Sequence, residues 1–360
     1  MGFEIDFLPV GDGEKSGDAI ALRYGNLTGP RDEFFVAVVD GGFKDSGDKL
    51  VEHIRQYYGT SKVDTAISSH PDNDHLSGLE VVLENMEVGA LWMHQPWKHT
   101  DDIACMFKDG RVTDNSVKES LRESLETACS IEKLATKKGI RIYEPFTGLT
   151  DIGGGLVVVG PTQEYYESLI PGFRGTPEPK EALGIVEKFF VKAEEVIRKV
   201  LESLDVETLK DDGETSAENN TCAIILLRHD SKYALFTADA GTPALTMACD
   251  ILEQSGYDPK RFAFIQVPHH GSQRNVGPAI LNRLVGEKLG EAKKTKTAFV
   301  SVSKGGDPKH PNKKVTNAFT RRGAPVHATK GMTKRHHHNA PSREGWVASE
   351  PLPLYTEVEE

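Results

Sequence analysis

The 360-residue chain has little of several things that would place a protein at once. Its four cysteines, Cys105, Cys129, Cys222 and Cys249, lie far apart and never in C-x-x-C spacing, which excludes a disulfide scaffold and a thiolate zinc site and leaves them as small core or surface residues. No run approaches the roughly 20 apolar residues that cross a bilayer. The first residues, MGFEIDFLPVGDG, carry acids and lack a basic start before an apolar stretch, so they do not read as a signal peptide and a cytoplasmic protein without membrane contact is expected. Long repeats are absent too. With 38% hydrophobic and 27% charged residues the composition is that of a soluble globular protein, excluding disorder, collagen and coiled coil. A chain of this size buries about three quarters of its unfolded surface.

Two halves of the sequence read alike. In the first, Phe3 to Leu8 alternates, Ala19 to Leu22 follows a glycine loop, and Phe34 to Val39 is a continuous apolar run ending in Asp40-Gly41-Gly42. Such runs bounded by glycines predict buried strands. Leu50 to Tyr58 predicts a helix, and Thr65 to Ile67 a strand leading into Ser68-Ser69-His70. The second half repeats the texture, with strands at Cys222 to Leu227, Tyr233 to Thr237, Phe262 to Val267 and Ala298 to Val302, and helices at Asp250 to Tyr257 and around Pro278 to Leu289. Two further helical stretches interrupt the rhythm. Val117, Leu121, Leu125, Ala128 and Ile131 form one apolar face, and Leu183, Val186, Phe190, Ala193, Ile197, Val200 and Leu204 form another. The second lies between Pro/Gly-rich and Asp/Gly-rich stretches and reads as a helical insertion at about 165–215.

The sharpest chemical signal is His70-Pro71-Asp72-Asn73-Asp74-His75, set between a strand and the helix-like Leu76 to Glu84. Carboxylates crowded near a protein interior repel one another, and a divalent cation keeps them charged. Alternation turns His70 and Asp72 to one side and Asp74 and His75 to another, a spacing suited to two metals. Capping a helix would account for one Asp, not for the set. Asp239 directly follows a second strand, and His269-His270-Gly271-Ser272 a third, so metal-type residues gather at strand ends, where the loops of one sheet rim can converge. His53, His94, His99, His229 and His327 stand alone and read as surface or packed residues, and His336-His337-His338 as a solvated loop.

This ordered set resembles the metallo-β-lactamase fold superfamily, and within it the branch containing the hydrolase domain of the ComEC DNA-uptake proteins. Val10-Gly11-Asp12-Gly13 with Gly17-Asp18-Ala19-Ile20, the Asp40-Gly41-Gly42 turn, Glu218-Asn219-Asn220-Thr221, and Ser301-Val302-Ser303 followed by His310-Pro311 resemble further elements of that branch, so the similarity spans most of the chain. It implies one α/β domain over residues 1–360, an αββα sandwich with helical insertions and a dinuclear site on one edge. Carried over by position, His70, Asp72 and Asp239 hold one metal, and Asp74, His75, Asp239 and one of the His269-His270 pair the other. His270 is the preferred ligand. His269 is then a residue behind the ligands or against phosphate, and Asp74, His269 and His310 are the residues assigned to catalysis. Two departures stand out. Asp72 occupies a position where a histidine is more familiar, and no mid-chain histidine ligand is visible, Asn220 being nearest in position. Fewer nitrogen ligands favour manganese relative to a His-rich zinc site, with zinc still open.

Formal charge is −11, yet from Lys288 to Arg335 thirteen Lys or Arg stand against two acids, Glu291 and Asp307. This basic segment, which encloses His310, either steers an anionic substrate or forms a solvated or partner-binding face. Three functions follow: a phosphodiesterase or nuclease using a hydroxide shared between two divalent ions, with nucleic acid as one candidate substrate; a lactone, thioester or β-lactam hydrolase on the same site; or a non-catalytic, metal-stabilised binding module with a protein partner.

Overall fold

The computed structural model describes residues 1–13, 15–180, 199–291 and 293–359. The strands within them are β1 (Gly2–Phe7), β2 (Ala19–Gly25), β3 (Phe34–Gly41), β4 (Lys62–Ile67), β5 (Glu87–Trp92), β6 (Arg141–Tyr143), β7 (Leu156–Gly160), β8 (Lys199–Leu201), β9 (Ile224–His229), β10 (Lys232–Phe236), β11 (Phe264–Gln266), β12 (Thr297–Val300), β13 (Val326–Ala328), β14 (Lys334–His338) and β15 (Glu357–Glu359). One sheet runs β14-β1-β2-β3-β4-β5-β6 and a second β13-β12-β11-β10-β9-β7, while β8 and β15 pair by themselves. In each large sheet four consecutive strands are parallel, β3 to β6 and β10 to β13.

Alternation along each strand builds three layers of core from one sequence pattern. Ile20, Leu22, Ala37 and Val39 face Ile225, Leu227, Phe236 and Phe264 between the sheets. Their neighbours Ala21, Val36 and Val38 point outward onto α1 (Lys44–His53) and α2 (Asn73–Asn85), and Leu226, Leu235, Ile265 and Val300 point outward onto helices from the second half. The architecture is therefore helix, sheet, sheet, helix, and strands buried on both faces explain the unbroken apolar runs. Leu76, Leu79, Val82 and Leu83 give α2 its buried face. Each such side chain contributes about 1.5–3 kcal/mol.

Four sequence expectations need correction or bounding. The apolar period 117–131 is two helices, α3 (Asp114–Ser124) and α4 (Glu126–Lys137), broken at Leu125, whose backbone leaves helical geometry without a glycine or proline to announce it. The predicted face from Leu183 to Ile197 lies outside the described residues. Its continuation at Val200 is not helical, because β8 pairs antiparallel with β15; pairing with a distant edge overrides local propensity. The three histidines 336–338 are strand rather than loop, paired with Phe3 to Ile5, and the His336 ring packs against Phe264 at 5.0 Å.

Candidate metal centre

The carboxyl ends of the parallel strands in both sheets lie on one rim, the usual place for a site in such sheets. On the first sheet, Asp40 is the next-to-last residue of β3 and β4 runs into Ser68-Ser69-His70. Helix α2 crosses the end of β3 at backbone distance: a Cβ on Gly78 would meet the Gly41 oxygen at 2.0 Å, and one on Gly41 the Leu79 nitrogen at 2.3 Å. This approach lets the Gly42 N–H donate to the His75 carbonyl at 3.2 Å and sets His75 above the strand end. Asp72 occupies the N-cap of α2, but its carboxylate makes no capping hydrogen bond and turns toward His70 instead. The Asp40 carboxylate accepts from the Ser69 N–H (2.8 Å) and hydroxyl (2.6 Å) and holds His75 Nδ1 at 2.9 Å, while Ser69 Oγ meets His70 Nδ1 at 2.9 Å.

The second sheet supplies the rest. Asp239 follows β10, and His269 and His270 follow β11 in consecutive left-handed conformations (φ 45° and 53°). Among the nine described non-glycine residues with positive φ, Asp40, Ala238, His269 and His270 all belong to this rim. Such conformations cost about 1–3 kcal/mol each and persist where surrounding contacts fix them. Gln266 is one such contact: its side-chain oxygen accepts from the Thr237 and Ala238 N–H groups, and its Nε2 donates across the sheets to Asp18 at 3.0 Å. Asn275 donates to the Asp239 carbonyl at 2.8 Å and meets His269 Nδ1 at 2.9 Å, and His270 Nδ1 donates to the Ser301 carbonyl at 2.9 Å.

With the Nδ1 atoms occupied, the Nε2 atoms converge on Asp239. Its Oδ1 faces His75 Nε2 at 3.4 Å and His270 Nε2 at 4.0 Å; its Oδ2 faces His269 Nε2 at 3.4 Å and His70 Nε2 at 3.8 Å. His70 Nε2 also lies 3.4 Å from Asp72 Oδ2, and His270 Nε2 4.0 Å from Asp74 Oδ2. Buried imidazole nitrogens of His70, His75 and His270, together with Asp239 Oδ1, have no hydrogen-bond partner among the described residues. Three overlapping sets, Asp40/His70/His75, Asp74/His75/His270 and Asp18/His75/Asp239, each bring one ligand atom per residue within 4.8 Å of the others.

Electrostatics follows from this crowding. Burial alone would raise Asp239, yet the His269, His75 and His270 imidazoles hold its carboxyl well below the usual range. Burial opposes charge on His75, and Asp239 and Asp40 overcome it and lift its pKa. Burial pushes Asp18 up to about 7 against the pull of His75, and it takes His270 down to about 4.

The structure thus brings His70, Asp72, Asp74, His75, Asp239, His269 and His270 to one rim. His269 approaches Asp239 as closely as the ring ligand candidates do, but its side chain is 33% exposed whereas that of His270 is 7% exposed. His310 is partly buried near His269, and burial with that imidazole keeps its pKa below the ordinary value. Asn220 does not reach the cluster through a hydrogen bond: its amide donates to the Thr215 hydroxyl at 2.8 Å. Its neighbour Asn219 contacts His269 Nδ1 at 3.2 Å. Asp18 and Asp40, to which the sequence pattern gives no role, join the cluster, and the signal for each is an acid beside a glycine at a strand end. Cys222, expected as a core or surface residue, packs in the core and interacts with His70. The basic segment is divided in use. Arg321, Arg322 and Lys296 are buried and spent on Glu202, on Glu207 and on the Val285 carbonyl, whereas Lys304 and Lys309 are exposed, the latter beside His310.

No family model matches the chain, and no curated protein matches it. Solved structures similar to it include a hydrolase, AbOPH, of the beta-lactamase superfamily (12% identity, 62% of this chain and 56% of that one, TM-score 0.27), so the chain spans little more than half that protein's length. Unliganded yeast PDE1 aligns over 91% of this chain and 96% of its own at 11% identity and TM-score 0.43. The metallo-beta-lactamase SMB-1 bound to 2-mercaptoethanesulfonate aligns over 78% and 86% at 10% identity and TM-score 0.27. No helix among the described residues is long and apolar enough to cross a membrane.

Proposed function

We propose that the chain is a metal-dependent hydrolase of phosphodiesters, with nucleic acid as the favoured substrate class and the cytoplasm as its setting. The observation that carries this reading is the convergence of unpaired buried atoms on Asp239. Buried imidazole nitrogens without partners are costly unless something completes them, and nitrogens with Nδ1 already tied to carboxylate, hydroxyl or carbonyl are oriented as metal ligands are. His70, Asp72 and Asp239 Oδ2 would hold one ion, and Asp74, His75, His270 and Asp239 Oδ1 the other, with zinc or manganese fitting the mixed N/O donors. Divalent ions held there would supply a lowered pKa for water and neutralise charge developing on an attacked ester.

The protein's own residues do the rest. Asp40, the Ser69 hydroxyl and the Ser301 carbonyl hold the His75, His70 and His270 rings from behind, so only their Nε2 edges face the rim. Asp239 uses both oxygens, which makes it the residue common to both halves of the centre. His310, beside His269 and next to the exposed Lys309, is assigned contact with the substrate's anionic or leaving oxygen. The motif order that resembles the ComEC hydrolase domain supports the same substrate class.

The test is hydrolysis of bis(p-nitrophenyl) phosphate by chelator-stripped protein reloaded with manganese or zinc. Metal-restored turnover, absent from Asp239→Ala, is the expected result. No turnover with two metal equivalents bound would overturn the phosphodiester assignment in favour of carbonyl esters or of a binding module.

A further inference from the structure

Resting on the phosphodiester reading, we propose that Arg174 is a recognition residue for the substrate's phosphate group. Arg174 lies in the stretch assigned from sequence to an insertion, about a hundred residues from the motif it reaches. Its backbone is fixed: the N–H donates to Glu218 Oε1 at 2.7 Å, and the preceding Phe173 is buried beneath Tyr166, the rings 6.1 Å apart and edge-on. The guanidinium meets the rim at Asp72, where Nη2 donates to Oδ1 while Asp72 Oδ2 faces His70. A longer Nη2 contact reaches the Pro71 carbonyl at 3.4 Å.

One nitrogen of the fork is therefore engaged. Arg–carboxylate pairs are commonly bidentate, whereas here Nε and Nη1 have no hydrogen-bond partner among the described residues, and the side chain remains 47% exposed. Three N–H bonds of a permanently charged, planar group are left at the mouth of the centre. The charge balance gives them a task. The rim gathers five carboxylates, Asp18, Asp40, Asp72, Asp74 and Asp239, and an incoming phosphodiester brings a further negative charge against them. Bound metals offset part of that repulsion. A fixed guanidinium beside Asp72 supplies both attraction and the bidentate geometry that a phosphate's paired oxygens accept. A residue that only supported Asp72 would need no exposed fork.

The experiment measures inorganic phosphate binding by calorimetry, together with metal content and turnover of bis(p-nitrophenyl) phosphate and p-nitrophenyl acetate, in metal-loaded wild type, Arg174→Ala and Arg174→Lys. Arg174→Ala is expected to weaken phosphate binding on the order of tenfold or more, to raise KM for the diester more than it lowers kcat, and to keep both metal equivalents. Arg174→Lys is expected to recover part of the affinity, since it restores charge without the fork. Unchanged phosphate affinity in Arg174→Ala, or an effect explained by lost metal, would overturn the assignment, as would absence of phosphate binding by wild type. If wild type binds phosphate in an Arg174-dependent way and turns over only the carbonyl ester, the recognition role stands and the phosphodiesterase reading falls.

Discussion

Two buried clusters of charge, one on β1 of the first sheet and one at the rim where strand ends of both sheets meet, are built from similar residues and end in opposite states. Glu4 and Asp6 on β1 are fully buried, yet Glu4 meets Arg23, Arg335 and Arg343, and Asp6 meets Arg343 through both oxygens (2.9 and 2.7 Å), the Tyr58 hydroxyl at 2.8 Å and His53 at 3.1 Å. Permanent cations neutralise these acids within the chain, and the cluster ties residues 335–343 to the first strand. Around Asp239, by contrast, the acids face imidazoles, the unpaired atoms point inward together, and the one guanidinium among the contacts described sits at the edge. The first arrangement is complete without a ligand. The second carries the desolvation cost of burial and leaves its donors unused, and that difference, rather than burial or charge alone, marks the functional cluster.

Substitutions should separate the two clusters. The largest effect is expected from Asp239→Ala, which removes the oxygen pair shared by both halves of the centre: metal content by elemental analysis and turnover should fall together, with the first by both equivalents and the second by several orders of magnitude. Glu4→Gln should do the reverse, leaving metal content intact while costing about 3–5 kcal/mol of stability in urea, because Arg23 and Arg335 lose their buried counter-charge and Arg343 keeps only Asp6. Acid should act on the same cluster. Burial would raise Asp6, but His53 and Arg343 bring it from 3.8 down to about 2. Its contribution is then fully present above pH 3.8 and lost as pH falls toward 2, about 2–3 kcal/mol in all; Asp6→Asn should flatten that limb of a stability–pH profile, and an unchanged limb would refute the linkage. The smallest effect is expected from Asp40→Asn, which loosens His75 from behind: metal affinity by chelator competition should fall about 10–100-fold with the fold unaltered.

Much of this contrast is legible in the sequence, for a physical reason. Strands such as 34–39 are buried on both faces and so write an unbroken apolar run, and ligand-type residues at strand ends have few other uses, which is why His70 to His75, Asp239 and His269-His270 can be picked out. Residues whose role depends on a neighbour distant in sequence leave no such mark. Asp40 is one acid in a glycine turn until Ser69 and His75 close around it, and Arg174 belongs to an insertion until the fold brings it to Asp72. His336 to His338 read as loop because strand character there comes from an edge partner rather than from their own propensity. Arg321 and Arg322 read as part of a basic segment that either steers an anionic substrate or faces solvent or a partner, yet they are buried against Glu202 and Glu207.

The crossing of α2 over β3 bears on how this protein would appear in a mutational scan. Gly41 and Gly78 have no side chain to offer a ligand or substrate, but any side chain at either position must push the helix off the strand and carry His75 with it. A selection for activity would therefore score these two glycines alongside the histidines, while a selection for mere solubility would pass substitutions at His75 and still reject those at Gly78.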